Sequence, residues 1–191
     1  MRMMETLINL VLFLYIVSIY MFTFIPGLNS ISNLIAGIFV FLVISWFFIN
    51  RKKVVFNPFL FLFLLFILVC GISYFVALAP SLVIVSFRVL FLNWVFMLIL
   101  MNYLDRYDKV EKLFSYFIYA GTLAAGYILI YSDFTRITRL GEVLGNENVM
   151  GIIIGISFIM ALYKIIFQKQ YRNILFLIPM APVILLTGSR K

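Results

Sequence analysis

The sequence has few charged residues, no histidine and a single cysteine. Of its 191 residues 12% are charged, and only 7 are acidic. Soluble domains carry about 25% charged residues, so this composition excludes an ordinary water-soluble domain. There is also no Cys/His cluster, no glycine-rich phosphate loop and no HExxH motif, which argues against a zinc or nucleotide site. We therefore expect no cofactor and no metal, and the lone Cys70 cannot form an internal disulfide.

Apolar residues dominate what remains. They make up 65% of the chain, which includes 22 phenylalanines. An apolar helix of about 20 residues crosses a bilayer and closes its own backbone hydrogen bonds there. We predict an all-α, polytopic transmembrane helix bundle of about seven helices, forming a single domain over residues 1–191. The predicted spans are 6–25, 32–50, 56–77, 82–104, 113–131, 149–167 and 174–188.

The net charge is +8, and the basic residues are distributed along the chain in the pattern that sets membrane topology. With the N-terminus in the cytoplasm, the first two outer turns contain no Lys or Arg, as the positive-inside rule requires. The inner segments then hold most of the basic residues: Arg2, Arg51, Lys52, Lys53, Arg106, Lys109, Lys112, Lys164, Lys169 and Arg172. Charge in this pattern does not indicate a nucleic-acid partner. No acidic residue falls inside a predicted span, which argues against a proton-coupled carrier.

Four arginines depart from this pattern. Arg88 lies inside the fourth span, where an arginine near the bilayer centre costs roughly 2.5–3.5 kcal/mol on insertion scales. It either extends its side chain to the outer headgroups or lines an outward-facing cavity. Arg136, Arg139 and Arg190 fall on the outer side, and guanidinium groups bind phosphate oxygens bidentately. These three arginines, together with Arg88, are candidates to bind a lipid-linked phosphate or diphosphate; the alternatives for the outer three are contact with lipid headgroups or plain solvation.

The third outer loop is polar and rich in glycine. Asn146 or Asn148 is a candidate N-cap of the sixth helix, and Glu147 is favourable at the positive end of that helix. Gly151 and Gly155 have the small-xxx-small spacing of close helix packing.

Three segments resemble the bacterial O-antigen ligase and O-antigen polymerase family. They are Arg136-Ile-Thr-Arg139, Gly145-Asn-Glu-Asn-Val-Met-Gly151 and, after an intervening pair of hydrophobic helices, Leu186-Thr-Gly-Ser-Arg190. The resemblance covers the last part of the chain only. It departs from the family pattern in Asn-Glu-Asn, where an Asn-Pro-Asn-like element is usual, and in Lys191, where glycine or alanine is commoner.

The resemblance implies a multi-pass glycosyltransferase of the bacterial plasma membrane, which joins glycans carried on undecaprenyl diphosphate at the outer face. Arg190, with Ser189 in the same element, would hold the diphosphate, and Arg136 and Arg139 would assist. Family members are longer and carry a later basic or histidine residue used in catalysis. The resemblance therefore implies either a truncated N-terminal half, which we do not expect to be active alone, or a degenerate paralogue, and it assigns no catalytic residue here.

Two other classes of function stay open. One is a lipid-linked oligosaccharide flippase or another small multi-pass transporter, and the other is a purely structural or assembly role. A transporter predicts polar residues along several helices, of which the fourth span offers Ser86, Arg88 and Asn93. An enzyme predicts polar groups gathered at one face, as the outer arginines and asparagines are, and this favours the enzyme.

Overall fold

The computed structural model describes residues 2–22, 29–131 and 147–186, and in these residues it contains helices and turns but no strand. The helices are α1 (Arg2–Phe22), α2 (Asn29–Ile49), α3 (Pro58–Ile72), α4 (Pro80–Tyr103), α5 (Tyr107–Tyr131), α6 (Glu147–Ile166) and α7 (Ile174–Leu186). Short 3-10 turns follow α3 and precede α7, at Ser73–Val76 and Tyr171–Asn173. The first five helices, α3 together with its 3-10 turn, are long and apolar enough to cross a membrane. The all-α prediction is confirmed.

The fifth helix begins earlier than predicted. A turn was expected over residues 105–112, whereas α5 starts at Tyr107 and includes Asp108 and Glu111. The prediction that no acidic residue lies in a span is therefore wrong, because the apolar helix extends over this stretch from Tyr107 to Ile130. Hydropathy detects only the apolar part of a helix. A helix can begin with a polar turn before that part when the side chains of the turn have hydrogen-bond or ion-pair partners.

Local signals fix the turn between α2 and α3. Arg51 adopts a left-handed conformation with φ 49°, and the Lys52 N–H donates to the Phe47 carbonyl over 3.0 Å. This is the Schellman arrangement that ends a helix. On the other side of the turn, Asn57 is the N-cap of α3 and Pro58 takes the first helical position, where its missing N–H carries no penalty.

The chain forms two compact units, each described by itself. Unit 1 comprises Met1–Phe39 and Asp108–Lys191, and unit 2 comprises Val40–Tyr107.

In unit 1, α1 runs parallel to α5, because residue numbers increase in the same direction along the contacts between the two helices. The rings of Phe13 and Tyr116 lie 5.4 Å apart, and nearer the start of both helices Glu5 approaches Lys109. Helix α7 also runs parallel to α5, because Tyr119 contacts Phe176 at 5.3 Å between ring centroids and, further along both helices, a Cβ at Gly121 would lie 3.5 Å from Met180.

Helix α6 runs antiparallel to α5 in the same unit. Lys164 near the end of α6 bonds to Ser115 near the start of α5, and Ser157 earlier in α6 bonds to Phe117 further along α5. Gly121 makes this approach possible, because a Cβ there would lie 2.5 Å from the Ser157 hydroxyl oxygen. A Cβ at Gly155, by contrast, would meet nothing within 4 Å. The predicted close packing at Gly155 is therefore wrong, and the close approach of the two helices is made at Gly121 of α5.

Unit 2 contains a hairpin of α3 and α4 around a small apolar core. Leu60, Ile67 and Trp94 form the buried part of this core. The Trp94 indole N–H donates to the Leu60 carbonyl over 2.8 Å. The outer surface of unit 2, which includes part of α2 as well as the hairpin, is apolar too, with phenylalanines more than half exposed: Phe41, Phe48, Phe56, Phe59, Phe61, Phe66 and Phe75. Such a surface is stable against lipid rather than water.

Candidate functional site

The structure describes only part of the site predicted from the sequence. Arg136, Arg139, Asn146, Ser189 and Arg190 lie outside the described residues. Asn148 belongs to the first turn of α6, which begins one residue before it. Arg88 is described in full.

Three helix ends nevertheless meet at one end of unit 1. Because α5 and α7 run parallel to each other and α6 runs opposite to both, the last turn of α5, the first turn of α6 and the last turn of α7 share that end. We call it the motif end and define it by Tyr131, Glu147 and Leu186. In sequence, residues 132–146 join the first two of these positions, and residues 187–191 follow the third. Every segment of the family resemblance is therefore attached at the motif end.

Arg88 is exposed on α4 of unit 2 and makes no hydrogen bond or ion pair with the residues that the structure describes. A cavity of about 470 Å³ lies near the turn between α3 and α4, and Val83, Ile84 and Phe87 contribute to its lining. Arg88 follows these residues directly on α4 but is not itself part of the lining.

The opposite end of unit 1 holds a buried ionic cluster, which we call the charged end. The Lys164 ammonium lies 3.4 Å from a carboxylate oxygen of Glu111 and donates to the Ser115 hydroxyl over 2.7 Å and to the Glu111 carbonyl over 3.2 Å. Its side chain is only 6% exposed. The Gln168 amide donates to the same carboxylate. Two charges and two polar groups thus join α5 to the end of α6.

A second buried cation extends this cluster towards α1. Lys109 has a side chain that is 3% exposed, and its ammonium lies 4.0 Å from a carboxylate oxygen of Glu5. Among the described residues, every buried side-chain nitrogen and oxygen has a hydrogen-bond partner. The charged end is therefore satisfied by the protein itself, as buried charges must be.

Midway along unit 1, hydroxyl groups connect three helices. The Tyr20 and Ser157 hydroxyl oxygens lie 2.7 Å apart, and the Ser157 hydroxyl is 2.8 Å from the Phe117 carbonyl oxygen, to which it donates. Tyr20 also donates to the Ile153 carbonyl over 3.1 Å. These bonds fix the register of α1, α5 and α6.

Neither the buried ionic cluster of the charged end nor the hydroxyl network of Tyr20 and Ser157 was predicted from the sequence. Lys164 was assigned to the membrane edge and Lys109 to an inner loop, each as a topology signal. One indication was available: Ser157 and Lys164 are seven residues apart, which places them on one face of α6, and Gln168 follows in the turn after that helix. Within the described ranges, no group of three or more His, Cys, Asp or Glu residues is placed to hold a metal ion.

Comparisons with protein-family models, with curated proteins and with solved structures found no match for this chain.

Proposed function

We propose that the protein is a membrane glycosyltransferase of bacterial surface-polysaccharide assembly, of the O-antigen ligase or polymerase type. In this proposal the motif end of unit 1 faces outwards and binds the diphosphate of an undecaprenyl diphosphate-linked glycan. The observation that carries the proposal is the helix arrangement, which attaches all three motif segments at one end of one unit.

Chain connectivity supports a common site for the arginines. Arg190 follows Leu186 by four residues, and Arg139 precedes Glu147 by eight. A chain spans at most about 3.5 Å per residue, so the outer arginines are tethered within reach of the same helix ends. Had α6 and α7 run in the same direction, these segments would have been attached a membrane thickness apart.

The chemistry of the reaction suits arginine. In glycosyl transfer the bond from the anomeric carbon to the diphosphate breaks, an acceptor hydroxyl takes its place, and negative charge stays on the departing diphosphate. Guanidinium groups bind such oxygens in pairs. Cations held in position before the reaction stabilise the charge as it develops. Arg190 is the proposed principal ligand, assisted by Arg136 and Arg139.

The charged end supports the proposed direction. Its cations Lys109 and Lys164 belong to the segments that the positive-inside rule assigns to the cytoplasm. The motif end is the opposite end of the same helices. If the charged end is cytoplasmic, the motif segments lie outside, where the lipid-linked glycan is polymerised or transferred.

Binding of the lipid carrier tests the proposal. The purified protein in nanodiscs would be titrated with an undecaprenyl diphosphate-linked oligosaccharide and examined by native mass spectrometry. We expect Arg190→Ala to weaken binding at least tenfold, on the scale of a lost charge-assisted hydrogen bond. Arg190→Lys should also be damaging, because a point charge does not replace a planar fork. Lys169→Ala, a change at the other end of α6, is the matched control. Unchanged binding in Arg190→Ala and in Arg136→Ala/Arg139→Ala would refute the proposal.

A lipid-linked oligosaccharide flippase is the second candidate, favoured by one observation. Glu111 and Lys164 form an ion pair inside the helical region, and intramembrane ionisable residues often mark a transport path. A transporter would move fluorescent lipid-linked oligosaccharide across proteoliposomes, and Lys164→Met would stop it. A glycosyltransferase would leave the lipid in its leaflet.

A further inference from the structure

The cavity between α3 and α4 of unit 2 lies outside the proposed diphosphate site and has no assigned occupant. Its lining comes from both helices and the 3-10 turn, and includes Leu68, Ile72, Phe75, Val83, Ile84 and Phe87. The volume of about 470 Å³ falls within the range of small-molecule sites. Phe75, Ile72 and Ile84 are each more than half exposed, so the cavity opens to the surroundings of the helices.

A glycine allows α3 and α4 to pack closely at the cavity. A Cβ at Gly71 would come within 2.9 Å of the Phe87 ring, so a larger residue there would push that ring aside. The Phe87 ring in turn stacks on Phe91 with ring centroids 6.3 Å apart. The apolar wall on the α4 side is therefore held by packing on both of its sides.

One cation stands beside this wall. Arg88 follows Ile84 by four residues, one helical turn on, and lies about 12 Å along the axis from the start of α4 at Pro80. Long side chains on a helix lean towards its N-terminus, which brings the Arg88 guanidinium towards the level of Ile84. Between residues 54 and 105, Arg88 is the only Lys or Arg.

We propose that this cavity binds an acyl chain of an anionic phospholipid, whose phosphodiester pairs with Arg88. The Arg88 guanidinium is exposed and makes no bond with the described protein residues, so it is available to an anion, a partner that favours an arginine within an apolar helix. A single arginine matches the single negative charge of a phosphodiester and leaves a diphosphate undercompensated. Tyr74, the one hydroxyl-bearing residue of the lining, is a residue type that concentrates at the level of the lipid headgroups. The site is independent of the proposed glycosyltransferase activity.

Native mass spectrometry of the purified full chain tests this site. The protein would be titrated with phosphatidylglycerol, with phosphatidylcholine of the same acyl chains, and with undecaprenyl phosphate. We expect the first phosphatidylglycerol to bind roughly tenfold more tightly than phosphatidylcholine, the ratio that one charge-assisted hydrogen bond supplies. Arg88→Gln should abolish this preference. The control Lys53→Gln removes the same charge from an exposed position before α3 and should preserve it.

A second pair of variants tests the cavity itself. Ile84→Trp fills the cavity and should weaken the binding of both phospholipids. Val85→Trp adds slightly more bulk at a neighbouring exposed position outside the lining and should weaken the binding of neither phospholipid. The proposal is overturned if Arg88→Gln keeps the preference for phosphatidylglycerol, if Ile84→Trp binds as the wild type does, or if undecaprenyl phosphate binds more tightly than phosphatidylglycerol.

Discussion

Removing the Lys164 ammonium should destabilise the protein more than any surface substitution. In Lys164→Met the side chain keeps most of its volume and loses its charge, next to a Glu111 carboxylate oxygen 3.4 Å away. At that distance and an effective dielectric constant of about 20, the attraction between two unit charges is about 5 kcal/mol. Desolvation of both groups offsets much of this in the intact pair, but not after one partner has gone.

The expected loss in the free energy of unfolding follows from this difference between the intact pair and a single buried charge. Breaking a buried pair by removing one partner costs about 3–5 kcal/mol. The Glu111 side chain is 18% exposed and keeps the hydrogen bond from Gln168, so we expect the lower end, about 3 kcal/mol in the free energy of unfolding. Two further hydrogen bonds of the ammonium, to Ser115 and to the Glu111 carbonyl, are lost in the same change.

A double-mutant cycle in bicelles, with unfolding measured by steric trapping, isolates the pair. Glu111→Gln in the Lys164→Met background should recover most of the loss, because no uncompensated carboxylate then stays buried. Lys112→Met, at an exposed position of α5 next to Glu111, should change the free energy of unfolding by no more than about 0.5 kcal/mol. If Lys164→Met is as mild as Lys112→Met, or if the two changes at the pair are additive, the ion pair does not hold α5 against α6.

Three further predictions concern packing, a turn and orientation. Gly121→Ala should lower the free energy of unfolding by about 1–3 kcal/mol through overpacking. Gly126→Ala, whose added Cβ meets nothing within 4 Å, should not lower it. Thermal unfolding of the two variants in detergent compares them directly. Asn102→Ala removes the two hydrogen bonds that its amide makes with the backbone of Val55 and should cost about 1 kcal/mol in the same assay. With the native cysteine replaced, Ala79→Cys should react with an impermeant maleimide on intact cells and Lys53→Cys only after permeabilisation; the reverse result would contradict the predicted orientation.

The sequence predicted the helices well because the apolar runs are bounded by prolines, glycines or charges, and five of the described helices are long and apolar enough to span a membrane. Pro58 and Pro80 stand where α3 and α4 begin. The start of α5 was misplaced because Tyr107–Lys112 is polar, and hydropathy cannot tell a loop from a helical turn whose charges are paired. Its pairing depends on α6, more than 50 residues away in sequence, as in the ion pair between Glu111 and Lys164.

The candidate site was predictable in composition but not in arrangement. Arginines on the outer side stand out in the sequence because they oppose the positive-inside rule. Their attachment to a shared end of unit 1 depends on the directions of α5, α6 and α7, which follow from contacts such as Tyr119 with Phe176. The buried hydroxyl network of Tyr20 and Ser157 had no signal in hydropathy, since single hydroxyls are common in membrane helices.

The central claim is that the segments flanking α6 and α7 converge beyond the outer ends of these helices. Cross-linking in native membranes tests it most directly, with Thr138→Cys and Ser189→Cys combined in a Cys70→Ser background and treated with a short bifunctional maleimide. The account predicts an intramolecular cross-link between positions 138 and 189, and none between position 138 and Gln170→Cys at the other end of α6. A cross-link from position 138 to position 170, with none to position 189, would contradict it.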